Sequence, residues 1–264
     1  MFDSMFSEEY NSPSTLQIRG ETAMQAKDRL IVALDVNEVG QGYDIIEDLE
    51  GLTGPFKIGL EAISANIGHT LADSIIGGGE EVFWDGKWLD IPNTVAGAAK
   101  GLLTDQPDGI WGFNVHASGG LKMMEAAVAN RGESLVLAVT VLTSLNEDDA
   151  LRLYHRTVWE VVKEWATEAE HSGVQGLICS PQEARRLKIL FPKMFLVIPG
   201  IRPDWAVPQD QARPTTPKQA ILNGSDFIVV GRPITNPPEG WTRRSAAEAI
   251  LEEIEDGVQE RERA

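Results

Sequence analysis

Short apolar runs alternate with amphipathic stretches from Arg29 almost to the carboxyl end of the chain. The apolar runs predict strands at Leu30–Asp35, Phe56–Gly59, Val82–Lys87, Ile110–His116, Leu135–Leu142, Gly176–Cys179, Phe195–Ile198 and Phe227–Val230. Between them, the spacing predicts helices at Tyr43–Leu49, Glu61–Ile76, Pro92–Leu103, Leu121–Asn130, Val158–His171, Pro181–Leu190, Pro217–Leu222 and Ser245–Glu255. Apolar runs without strict alternation are what parallel strands covered on both faces show. Eight strand–helix units within 264 residues point to an α/β fold, the (β/α)8 TIM barrel. An open doubly wound sheet is the competing arrangement, but no Gly-x-Gly-x-x-Gly turn follows the first strand. The reading is a single barrel domain over residues 25–264 behind a poorly ordered tail, residues 1–24, which has no signal-peptide hydrophobic core. The stretch Glu252 to Ala264, crowded with Glu and Arg, reads as a solvated helix end that frays.

Polar residues recur at the same end of successive strands. Asp35 closes the first, Lys57 lies in the second, Asp85 and Lys87 end the third, and His116 ends the fourth. Thr143 and Ser180 follow the fifth and sixth, Pro199-Gly200-Ile201-Arg202 the seventh, and Gly231-Arg232-Pro233 the eighth. In a barrel these positions converge on one mouth, the carboxyl-terminal face where such folds hold their chemistry. Composition narrows the ligand. A formal charge of −17 argues against a phosphate-neutralising nucleic-acid surface and against anionic membranes, yet leaves room for a local basic pocket. No apolar run is long enough to span a bilayer. One cysteine, Cys179, excludes an internal disulfide framework and fits a reducing cytoplasm; within its apolar run it reads as inert core.

The densest stretch runs from Glu81 to Val95. Asp85 and Lys87, two apart on a strand, share a face, and Pro92 starts a helix after them. Taken alone, such a pair reads as an exposed ion pair of little worth. Lys57 has apolar neighbours, Phe56 and Ile58, so it either snorkels to water or stands beside Asp85 in an array that Lys87 and Asp90 extend, a self-neutralising set that can tolerate burial. Gly231-Arg232 after the eighth strand suits an oxyanion, with glycine admitting backbone N–H groups and Arg offering a fork. The stretch Pro199 to Pro217 reads as a functional loop or lid, with Arg202 and Gln211 as its anion-facing residues. His116 has no partner at ligand spacing and reads as structural, Ser118 lacks a His–acid pair, and Trp84, Trp88 and Trp111 read as packing groups.

Asp85-x-Lys87-x-x-Asp90-Ile-Pro-Asn-Thr94 resembles the signature of the orotidine 5'-phosphate decarboxylase family. The resemblance runs from about Leu30 to Thr235, with Ala33-Leu-Asp35, Lys57-Ile-Gly59, Asn114-Val-His-Ala-Ser-Gly-Gly120, Thr140-Val-Leu-Thr-Ser144, Pro199-Gly-Ile-Arg-Pro203, Asp210-Gln211 and Gly231-Arg-Pro233 in family order. Gly86 and the pair Trp88-Leu89 depart from the usual residues between the acidic positions. The resemblance implies a barrel enzyme that needs no metal and no cofactor, acts on orotidine 5'-monophosphate and works as a homodimer. It implies that Asp85 crowds the substrate carboxylate, that Lys87 protonates pyrimidine C6, and that Lys57 and Asp35 hold the ribose. Asp90 and Thr94 would reach into the neighbouring subunit's site. Thr143 would lie at the pyrimidine edge, and Gln211, Gly231, Arg232 and Arg202 would hold the phosphate. Two rivals stand beside it: a magnesium-dependent sugar-phosphate decarboxylase or aldolase of the same barrel suprafamily, and a catalytically silent nucleotide-binding barrel. The magnesium enzymes usually place an acidic metal ligand where Lys57 stands.

Overall fold

The computed structural model describes residues 24–105, 108–206 and 215–263. Eight parallel strands close into a barrel in chain order: β1 (Leu30–Leu34), β2 (Phe56–Gly59), β3 (Val82–Trp88), β4 (Ile110–His116), β5 (Leu135–Val139), β6 (Gly176–Ile178), β7 (Phe195–Ile198) and β8 (Phe227–Val230). The helices are α1 (Val39–Asp48), α2 (Leu60–Ser64), α3 (Gly68–Gly77), α4 (Pro92–Asp105), α5 (Leu121–Val128), α6 (Glu147–Tyr154), α7 (Val158–His171), α8 (Pro181–Leu190), α9 (Pro217–Leu222), α10 (Arg232–Thr235) and α11 (Arg243–Arg263). Among the described residues, no helix is long and apolar enough to cross a membrane. The expected tail lies outside the described residues except for Met24, which packs against the base of the barrel.

Side chains alternate between two cores. Leu30, Val32, Leu34, Phe56 and Ile58 face outward and are sealed by the helices. Ile31, Ala33, Phe83, Trp111, Phe227 and Val229 face the barrel axis. Each fully buried aliphatic or aromatic side chain stabilises the fold by roughly 1.5–3 kcal/mol. At the base, Trp111 meets Phe83 and Phe227 edge to face, with ring centroids 5.8 and 4.9 Å apart. These rings plug the interior, leaving the carboxyl ends of the strands as the open face.

Three differences from the expected elements have a local cause. The single helix expected over Glu61–Ile76 is broken: Asn66 takes a left-handed φ of 60°, a conformation Asn tolerates, and α3 starts afresh at Gly68. A Cβ on Gly68 would sit 3.2 Å from the Trp84 ring, so the glycine lets α3 press onto β3. β5 ends at Val139 rather than Leu142; the Thr140 N–H and hydroxyl both donate to the Ile178 carbonyl at 3.1 Å, and among the described residues none after Thr140 pairs with β6. α6 was not expected at all. Its start is a capping box in which Asn146 and Asp149 satisfy each other's backbone N–H groups, and three acidic residues favour its positive end.

The carboxyl end also corrects its expectation. Rather than fraying after Glu252, α11 continues to Arg263 with Ile254 fully buried. The Arg261 guanidinium donates to the carbonyls of Ile221 (3.2 Å) and Ser225 (3.1 Å), tying the last turns to the end of α9. Gly257 makes this possible, since a Cβ there would lie 2.9 Å from Ile221 Cβ and 3.1 Å from the Lys218 carbonyl. Ala is the better helix former by about 1 kcal/mol. The overpacking of two rigid helices, about 1–3 kcal/mol, outweighs that gain. Gly257→Ala is therefore expected to lower the urea midpoint and Tm; a variant as stable as the parent would show that α9 and α11 separate freely.

Candidate active site

Successive barrel rungs set the site. Ala33, Lys57 and Phe83 share one level through the pairings of β1 with β2 and β2 with β3, and Gly59 pairs with Asp85 two residues further up. Asp35 follows β1 on the same inward parity as Ala33. Lys57 thus points into the barrel one layer below two carboxylates and extends up to both: its Nζ lies 3.1 Å from Asp35 Oδ1 and 3.2 Å from Asp85 Oδ2. Lys87 Nζ reaches the other Asp85 oxygen at 2.7 Å. The result is a chain of alternating charge, Asp35–Lys57–Asp85–Lys87. Its lower half is buried, with the Lys57 and Asp85 side chains 11% and 9% exposed, while Lys87 is 30% and Asp35 55% exposed.

The buried pair holds its charges. Burial is the largest influence on Lys57 and would lower its pKa, but the Asp85 and then the Asp35 carboxylates more than offset it, and the ammonium titrates above the ordinary lysine range. Burial likewise pushes Asp85 up, and Lys57, Lys87 and the hydrogen bonds from Lys87 and Asn114 bring it below the usual carboxylate value. The stability from Asp85 is present above the unfolded carboxylate pKa and is lost as pH falls through the lower folded value. That from Lys57 is present below the unfolded lysine pKa and is lost as pH rises through the higher folded one. Across the neutral range both stay ionised. His116, half-buried nearby, is lowered by its burial and then by the Lys87 charge.

Asn114 is the residue that sequence reasoning passed over. It is fully buried; its Nδ2 donates to Asp85 Oδ1 at 2.6 Å, and its Oδ1 accepts the Lys87 backbone N–H at 2.7 Å. Counting from Trp111 would have turned it outward, because a register shift early in β4 breaks the alternation before Gly112.

Two glycines clear the space. A Cβ on Gly59 would stand 2.8 Å from Lys57 Nζ and 3.3 Å from Asp35 Oδ1, so the missing side chain is the room the ammonium occupies. A Cβ on Gly86 would meet Trp88 Nε1 at 2.7 Å and Trp84 Cδ1 at 3.3 Å. Of the residues that depart from the family pattern, Gly86 and Trp88 are therefore one packing solution, while Leu89 stays exposed. Trp84, Trp88 and Trp111 all pack, against His69, Phe113 and the basal rings respectively.

The remaining expected residues lie around the mouth. Asp90 is exposed just past β3 and accepts the Ile91 N–H at 2.6 Å, while Asp35 takes the second acidic place in the chain of charges. Thr94 is exposed in the first turn of α4. Thr143 and Pro199 line a cleft of about 800 Å³ beside the ends of β5, β6 and β7, with Arg186 lying 3.7 Å over the Trp159 ring in its wall. None of Asp35, Lys57, Asp85 and Lys87 lines that cleft. Arg202 is 9% exposed, and its backbone N–H bonds the Thr215 carbonyl, which zips the two stems of the loop after β7. Gln211, within that loop, lies outside the described residues. Gly231 precedes α10 and its carbonyl accepts from Ile234 and Thr235; Arg232 is exposed at the helix start. Cys179 is core, its thiol pushed well up by burial.

Residues 28–250 match the orotidine 5'-phosphate decarboxylase / HUMPS family. The orotidine 5'-phosphate decarboxylase of Moorella thermoacetica is 40% identical over 256 residues, covering 92% of this chain and 98% of the relative. That of Teredinibacter turnerae is 43% identical over 213 residues, covering 78% and 90%. Among solved structures, the orotidine 5'-phosphate decarboxylase of Lactobacillus acidophilus is similar with a TM-score of 0.72 and 35% identity, covering 85% of this chain and 98% of the other.

The array carries its own test. Gly59→Ala keeps an ordinary backbone conformation but forces Lys57 Nζ away from Asp35 and Asp85. Drawing the ammonium off a buried carboxylate weakens a compensating pair, so Tm is expected to fall while catalytic turnover drops by about 10²-fold, the scale of a roughly 1 Å misplacement. Turnover equal to the parent enzyme would show that Lys57 has no fixed station.

Proposed function

Because the chain belongs to the orotidine 5'-phosphate decarboxylase / HUMPS family, we propose that the charge chain at its barrel mouth is what removes the carboxylate of orotidine 5'-monophosphate. The enzyme is a carboxy-lyase of pyrimidine biosynthesis, converting that nucleotide to UMP and carbon dioxide. The observation that carries the assignment of roles is the 2.7 Å contact between Lys87 Nζ and a carboxylate already held by Lys57. Loss of carbon dioxide leaves electron density at C6, which has no adjoining carbonyl in position to delocalise it. An ammonium fixed in place before the reaction stabilises that charge where it forms and then supplies the proton. In this reading Asp85 faces the departing carboxylate, Lys57 and Asp35 hold the ribose, and Thr143 lies at the pyrimidine edge. Gly231, Arg232, Gln211 and Arg202 hold the phosphate, supported by the short helix α10 after β8, where barrels commonly bind phosphate. The phosphate is remote from the breaking bond, so its binding energy goes into orienting the base. The magnesium-dependent rival is disfavoured because Lys57 already supplies the positive charge between Asp35 and Asp85.

The same reading includes a homodimer in which Asp90 and Thr94 complete the partner's site, within the reducing cytoplasm that suits a single buried thiol. Asp90 is flanked by two exposed apolar residues, Leu89 (56%) and Ile91 (65%), an arrangement that suits a covered surface.

Lys87→Ala is expected to cut loss of orotidine 5'-monophosphate, followed by ultraviolet absorbance, by at least about 10²–10³-fold, the cost of removing one preorganised stabilising group. Substantial turnover in a folded variant would overturn the role of Lys87. Mixing inactive Asp90→Ala with inactive Lys57→Ala is expected to restore about a quarter of parental activity, because half the dimers are hybrids with one intact site of two. No recovery with hybrids demonstrably formed would place Asp90 outside the partner's site.

A further inference from the structure

The pairing of β3 with β4 contains an interruption at the centre of the site. Trp84 pairs with Phe113 and Trp88 pairs with Val115, so Asp85, Gly86 and Lys87 on one strand face a single residue, Asn114, on the other. Such a bulge removes regular ladder bonds and re-aims side chains. It also leaves Lys87 at φ 48°, a left-handed conformation that a residue with a Cβ adopts at a cost. The carboxamide of Asn114 stands in for the lost ladder, accepting the Lys87 N–H at 2.7 Å and donating to Asp85 Oδ1 at 2.6 Å. Its orientation follows from chemistry: the reverse placement would set a carbonyl oxygen against a carboxylate and an NH2 against an N–H.

We propose that Asn114 is a positioning residue for decarboxylation, locking the bulge so that the Lys87 ammonium and the Asp85 carboxylate are both fixed before substrate arrives. This rests on the reading of Lys87 as the proton donor. Asn114 touches neither the Lys87 amine nor any part of the open mouth, being fully buried; it acts on the backbone that carries the lysine and on the carboxylate that holds its tip. Lys57 holds Asp85 through its other oxygen, and Oδ1 is shared by Asn114 and the mobile tip of Lys87, so without Asn114 the only remaining restraint on Oδ1 is the ammonium it has to position.

The test compares parent, Asn114→Ala and Asn114→Asp by steady-state kinetics with orotidine 5'-monophosphate and by direct binding of UMP, the product. The expected result for Asn114→Ala is a kcat reduced by about 10²-fold with KM and UMP affinity essentially unchanged. Asn114→Asp keeps the shape and can still accept from Lys87, but it can donate to Asp85 only when protonated. Like-charge proximity raises that acid's pKa, so its kcat is expected to be highest at low pH and to fall with rising pH through an ionisation absent from the parent. If Asn114→Ala does not fold, this pH profile in the nearly isosteric variant decides the matter. A kcat within a few-fold of the parent in Asn114→Ala, an equal loss in kcat and UMP affinity, or an Asn114→Asp profile parallel to the parent's overturns the proposal. Absence of turnover in the parent overturns instead the decarboxylase reading on which it rests.

Discussion

The structure depends on a carboxylate that could not be buried alone. Asp85 lies in the barrel wall, where an unpaired ion would be too costly to keep, and every contact it makes is a compensating one: Lys57 on one oxygen, Lys87 and Asn114 on the other. Because those donors come from β2, β3 and β4, satisfying one ion aligns three strands. Lys57 is in turn held charged by the acids on either side of it. Charges that neutralise one another without collapsing onto a single pair form an environment whose dipoles are already set, which is the condition for stabilising charge as it develops on a bound molecule.

Two features of the backbone make this arrangement possible. Parallel closure of the barrel aims the inward residues of neighbouring strands at a common axis, and the aromatic rings below fill its base. The irregularity between β3 and β4 then breaks the regular pattern at the place where chemistry is proposed, turning Lys87 toward the mouth at the expense of a regular ladder. Glycine serves the same end from the opposite direction. At position 59 it adds nothing, and an ammonium fills the volume a methyl would have taken.

Much of this was legible in the sequence, because burial on both faces leaves a plain trace. β2, β4, β7 and β8 run over their predicted residues, as do α7, α8 and α9. Lys57 stands beside Asp85 and Lys87, the second of the two places its apolar neighbours left open and the one the family pattern implied. What escaped has identifiable causes. α6 begins Glu147-Asp-Asp, so it lacks an early apolar stripe and is specified by its cap instead. α10 is too short to carry a period. Asn66 breaks a helix whose apolar spacing continues past it, because Asn accepts a left-handed turn without announcing it. Asn114 was visible only as part of a motif; its importance comes from standing opposite three residues, and the register between two strands cannot be read from either one alone. Asp35 was read as a ribose contact, yet within one chain it also occupies the acidic station beside Lys57, a juxtaposition that only barrel closure creates.

The order of the strands has a consequence for how the molecule is made. The charged chain is complete once β1 to β4 exist, all within the first half of the polypeptide, whereas the proposed phosphate grip comes from β7 and β8 and the seam of the barrel joins β8 back to β1. A ribosome therefore exposes two lysines and two aspartates, along with the apolar faces of an unsealed sheet, well before the final strand can enclose them. Contacts between the ends of a long chain form late and slowly.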